Sequence, residues 1–221
     1  YLDFYRDIDI EEEFYWFTLG AAGPDDIHWM TPEDIARYGV VTDRYEETVE
    51  PHQSAGSAYG LDALDPSRAY RGILALPDDV AKPIRATFDR YTRVVAPNGR
   101  PIHILAQSGW TEDQIVHARK VLEHLLTDVP GAKYGDREGV ANAMAERRAT
   151  LVLFDDEPAM ERALRGRLGN LRLGMQDLRA NECPPIGSPD YLRHGTRDAA
   201  YEEILHLVHD YGIRPALPEY D

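Results

Sequence analysis

Apolar positions recur along this chain with two periods. From Thr111 to Leu126 they fall three and four apart, at Ile115, Ala118, Val121, Leu122 and Leu125, the spacing of an amphipathic helix. Thr111 and Gln114 stand three apart at its start and form a capping box. The pair Asn98-Gly99 marks a turn, and the following Arg100–Ala106 alternates with period two, which predicts a strand. Ala149–Phe154 is a short apolar run bounded by acids and reads as a buried strand. Tyr70–Leu76 predicts another strand, and 80–91 a helix that carries Pro83 in its first turn. Further helices are expected over 137–148 and 158–168, and an edge strand within 171–182. The sum is a mixed fold of α+β class.

The organisation is uneven. Residues 1–43 stand apart as an acidic segment rich in aromatics, with a short strand and then a short helix in which Thr31 is the N-cap and Pro32 occupies the first turn. Residues 44–67 are small and polar and read as a linker, and 68–221 as the main domain.

Composition narrows the function classes. An apolar share of 43% supports a core, and no run is long enough to span a bilayer. A formal charge of −15 excludes nucleic acid as a partner, because phosphate binding draws on clustered Lys and Arg, and it favours cations at the surface. Cys183 is the single cysteine, so there is no internal disulfide framework, and its expected role is packing. The chain opens on Tyr1 rather than Met, from which removal of a leader or preceding segment is expected.

The densest chemistry lies in 198–212. At about 100° per residue, Glu202, His206 and His209 fall within about 60° of one another, with Glu203 and Asp210 on the flank. Ala200, Ile204, Leu207 and Val208 occupy the opposite arc and anchor the helix in a core. Asp198 is the expected N-cap and Gly212 the expected C-terminal stop. Such a stripe is a candidate metal site. Acids and histidines opposite an apolar arc also describe an ordinary half-buried surface helix. The other histidines carry less: His117 and His124 share a solvated helix face, His103 lies on a strand, and His194 is a loop residue or an additional ligand. Asp155-Asp156-Glu157 stands where a strand ends and a helix begins and reads as a capping cluster, a magnesium-type site or neither, with helix-dipole stabilisation enough to account for it.

Glu202-Glu203-Ile204-Leu205-His206 resembles the active helix of zincin metallopeptidases, with the first His of HExxH replaced by Glu, and the continuation resembles the lethal-factor-like branch. The likeness covers about ten residues. It implies a zincin-like mixed sheet with an active helix, zinc or another divalent metal on Glu202 and His206, with His209 or Asp210 as an extra ligand or a supporting partner, and Glu203 as the base. A third ligand is expected beyond Gly212, where nine residues follow. Residues 1–43, through Ile27-His28-Trp29-Met30-Thr31-Pro32-Glu33, resemble the C-terminal tail of Clp-type serine peptidase homologues of the bacterial envelope. No Gly-x-Ser-x-Gly elbow accompanies that likeness. The expectation is a metal-dependent, peptidase-like hydrolase acting on a peptide or protein through a metal-activated water, periplasmic or secreted. The alternative is an inactive binding protein on the same scaffold.

Overall fold

A computed structural model describes residues 13–14, 16–17, 37–38, 59–128, 136–166, 168–185, 187–189, 191 and 198–218. The chain divides into two compact units, Tyr1–His52 and Gln53–Asp221. In the first, residues 13–14, 16–17 and 37–38 are helical. Phe14, Phe17 and Tyr38 cluster there with ring centroids 4.8–6.3 Å apart, and Tyr38 is buried. The strand expected ahead of that helix, together with His28, His52 and residues 44–58, lies outside the described residues.

The second unit is built on a five-stranded mixed sheet in the order β1-β2-β3-β4-β5. The strands are β1 (Leu74–Ala75), β2 (Arg90–Val95), β3 (Pro101–Ala106), β4 (Ala149–Phe154) and β5 (Gly174–Arg179). Pairings β1–β2 and β2–β3 are antiparallel, whereas β3–β4 and β4–β5 are parallel. The turn between β2 and β3 uses Asn98-Gly99: Gly99 takes a φ of +80°, a conformation that costs glycine nothing. Asn98 Oδ1 accepts from the Arg100 amide at 3.0 Å.

Central position explains the apolar run of β4. All six of its residues are buried, since helices cover both faces as parallel pairing requires. Leu151 and Leu153 point with Ile102, Ile104 and Ala106 into one core, which α2 (Glu112–Leu126), α3 (Arg137–Glu146) and α5 (Ala200–Val208) cover. Val152 and Phe154 point with Tyr91 and Leu105 into the other, against α1 (Lys82–Arg85) and α4 (Glu157–Arg165). Residues 59–67, within the stretch whose composition reads as a linker, pack into this second core through Leu61 and Leu64. Asp62 reinforces that packing, with Oδ1 3.2 Å from His103 Nε2, while His103 Nδ1 meets the Tyr91 hydroxyl at 3.0 Å.

Three expectations change. The helix predicted over 80–91 is a four-residue turn, Lys82–Arg85, followed by β2. Val80, Ile84, Phe88 and Tyr91 are all buried and are spaced as on a helix, but the last of them enters the core from a strand. The strand predicted over 70–76 shrinks to Leu74–Ala75, behind two 3₁₀ turns. Gly212 does not stop the last helix: a π turn over His209–Ile213 carries it onward. The glycine is needed there for contact, because a Cβ would lie 2.7 Å from Val140 Cγ1 and 2.8 Å from Met144 Cγ.

Candidate functional site

The predicted active helix forms as α5, anchored by buried Ala200, Ile204, Leu207 and Val208. Its polar stripe faces outward. Glu202 and His206 are exposed, and His209 Nδ1 lies 3.0 Å from Asp210 Oδ1 of its own neighbour. Glu203 is half-buried beside the edge strand and accepts from Gln176 Nε2 of β5 at 2.8 Å. Burial, and then the charges of Glu182 and Asp177, raise the Glu203 carboxyl above its ordinary pKa. Glu202, Glu203, His206 and His209 form no group with ligand atoms in mutual reach. His194 and residues 219–221, where a further ligand was expected, lie outside the described residues.

A different set does converge. Ligand atoms of His117, Cys183 and Asp198 all lie within 4.8 Å of one another. Three elements supply them: α2 carries His117, the loop after β5 carries Cys183, and the residue ahead of α5 is Asp198.

Gln114 explains the assembly. Its Oε1 accepts from the Thr111 amide at 3.0 Å and from the Thr111 hydroxyl at 2.9 Å, completing the capping box that starts α2. Its Nε2 donates to the Cys183 carbonyl at 2.7 Å and reaches the Ala180 carbonyl at 3.4 Å. One buried amide therefore starts the helix and clamps the loop, one turn before His117. From the other side the Ala199 amide donates to the Glu182 carbonyl at 2.7 Å, tying the start of α5 to the same loop.

Asp198 divides its two oxygens. Oδ1 accepts from the Ala200 amide at 2.9 Å, although the N-cap of α5 is Ala199 rather than Asp198 as expected. Oδ2 lies 2.6 Å from His117 Nε2. This bond raises the His117 pKa above its ordinary value. Burial works against the Asp198 charge, but the bonds from His117 and Ala200 hold its carboxyl below the usual range. Burial, with the Asp198 charge beside it, pushes the Cys183 thiol up to about 12. His117 is thus half-buried and paired rather than solvated, and Cys183 is buried in the core, as its expected packing role requires; His124, on the same helix, is exposed as expected.

A cavity of about 360 Å³ opens beside this cluster, with His117, Cys183, Asp113, Lys120, Val116 and Pro184 on its wall. Nitrogen, sulfur and oxygen donors in one set suit zinc better than magnesium or calcium, which take oxygen ligands. Among the described residues no helix is long and apolar enough to cross a membrane. Comparison with family models, curated proteins and solved structures finds no match to this chain.

Proposed function

We propose that the chain is a metal-dependent hydrolase whose divalent ion is held by His117, Cys183 and Asp198. The observation that carries this reading is the mutual reach of those three ligand atoms, two of whose residues, His117 and Cys183, line a cavity. Three protein ligands and one open direction are the arrangement of catalytic rather than structural zinc sites. A bound zinc supplies two things there: a water acidified toward neutrality and a polarised carbonyl.

The chain's own groups do the rest. Gln114 fixes the height of Cys183 against α2. Asp198 holds the imidazole through Nε2 and would give an oxygen ligand to a bound ion. Asp113 stands one turn before His117 on the cavity wall, ion-paired with Arg71. Val116, Pro184 and Pro185 give the wall an apolar part beside Arg71 and Lys120, which suits an ester or amide, peptides included. The zincin-like spacing of Glu202, Glu203 and His206 is not used in this chemistry.

Cobalt substitution tests the proposal. One Co(II) per chain is expected, with a near-ultraviolet thiolate-to-cobalt charge-transfer band that Cys183→Ser removes. Zinc-dependent cleavage of an ester or casein-peptide panel should be lost in His117→Ala and kept in His206→Ala. Metal content unchanged in both His117→Ala and Cys183→Ser overturns the proposal. Bound metal without cleavage would instead make the triad a structural clamp between α2 and α5.

A further inference from the structure

A second cavity, of about 610 Å³, lies on the opposite face of the sheet between α1 and α4. Its wall includes Lys82 from α1, Thr87 from the turn after it, Gln107 from the end of β3 and Arg162 from α4, with small apolar residues between them. The position is notable in the topology. The chain leaves β3 toward α2 on one face and leaves the adjacent parallel β4 toward α4 on the other. Diverging exits of this kind open a crevice at the carboxyl ends of the strands, the place where α/β sheets hold ligands.

Its charge is the informative part. The chain carries 39 acidic against 24 basic side chains, yet no Asp or Glu is on this wall among the described residues, while Lys82 and Arg162 both are. They approach from different elements, both are exposed, and neither has an acidic partner within ion-pair distance among the described residues. Other arginines of the unit are committed, such as Arg71 to Asp113, Arg85 to Asp78 and Arg93 to Asp65. The uncharged polar groups of the wall are already engaged. Thr87 Oγ1 donates to the Pro83 carbonyl, Gln107 Nε2 donates to the Thr87 carbonyl, and Gln107 Oε1 accepts from the Asp155 amide. The available hydrogen-bonding capacity is therefore cationic, and the remaining wall is small and apolar.

We propose that this cavity binds a small molecule through an oxyanion, a phosphate or a carboxylate, held between Lys82 and Arg162. A guanidinium fork matches two oxygens of such a group, and the ammonium adds a compact charge from a second element. The volume is that of a small-molecule pocket. The site is separate from the His117 cluster and stands whether or not that cluster binds metal.

The test is calorimetric titration of the full chain at low ionic strength with inorganic phosphate and, separately, with succinate, against sodium chloride at matched ionic strength. Saturable binding of one or both is expected, weakened about tenfold or more in Lys82→Ala and in Arg162→Ala, the loss of one charge-assisted contact. Lys120→Ala and His117→Ala should leave it unchanged. Binding of phosphate alone assigns a phosphorylated ligand, and of succinate alone a carboxylate. Absence of saturable binding by either probe overturns the proposal, as does binding that survives in the Lys82→Ala, Arg162→Ala double variant or falls equally in Lys120→Ala.

Discussion

Glu203 and Asp62 are carboxylates held in opposite senses, and stability should register both. Glu203 is raised by burial and by neighbouring acids, so its folded-state pKa lies above its unfolded value. Below the ordinary carboxyl range both states are protonated and nothing is lost; as pH climbs through that range, the folded state carries a charge it disfavours. Glu203→Gln keeps an acceptor for Gln176 and removes the charge. It should raise the urea midpoint at pH 7 and leave it unchanged near pH 4, whereas an equal gain at both pH values would refute the assignment. Asp62 is lowered, first by its bond to His103. Its contribution is present above the ordinary carboxyl range and disappears as pH falls through and below it. Asp62→Asn should therefore unfold earlier than the parent chain at pH 7, with the gap closing in acid; a gap that persists in acid would show that packing, not charge, is at stake.

Among the elements, the legible ones are those whose signals are local. The capping box of Thr111 and Gln114 opens α2 as read, and Asn98-Gly99 turns the hairpin into β3. What eludes the sequence is a pattern that two structures share: Val80, Ile84, Phe88 and Tyr91 satisfy helical spacing and are equally well buried by a turn followed by β2. The candidate metal cluster has the same difficulty. Its three residues come from three elements, 66 and 15 positions apart in sequence, so no spacing rule joins them. Glu202, His206 and His209 are conspicuous because they share one helix, whose stripe the fold turns outward. Two element-level substitutions follow. Gln114→Ala removes both the box and the clamp, leaving the Cys183 carbonyl without its 2.7 Å partner; a loss of about 1–3 kcal/mol is expected, read by denaturant unfolding, together with weaker metal binding. Stability within a few tenths of the parent would contradict the clamp. Gly212→Ala places a methyl against Val140 and Met144 and should cost about 1–3 kcal/mol by overpacking, where a helix-terminating glycine elsewhere on a surface would not.

At the scale of the molecule, the sheet separates two candidate sites. On one face, α2, the loop after β5 and the start of α5 are tied by Gln114, by the Ala199 amide and by the His117–Asp198 pair. An ion held by His117, Cys183 and Asp198 would fasten the same three segments, so metal should stabilise the fold as any native-state ligand does. On the other face, α1 and α4 line an open cavity that carries Lys82 and Arg162 and no acid among the described residues, in a chain of strongly negative charge. The central claim is the ligand set on the first face, and X-ray absorption at the zinc edge of the zinc-loaded chain reads it most directly. The expected first shell contains one sulfur at about 2.3 Å with nitrogen and oxygen neighbours near 2.0–2.2 Å, and the sulfur disappears in Cys183→Ser. A first shell of nitrogen and oxygen alone in the parent chain would contradict it.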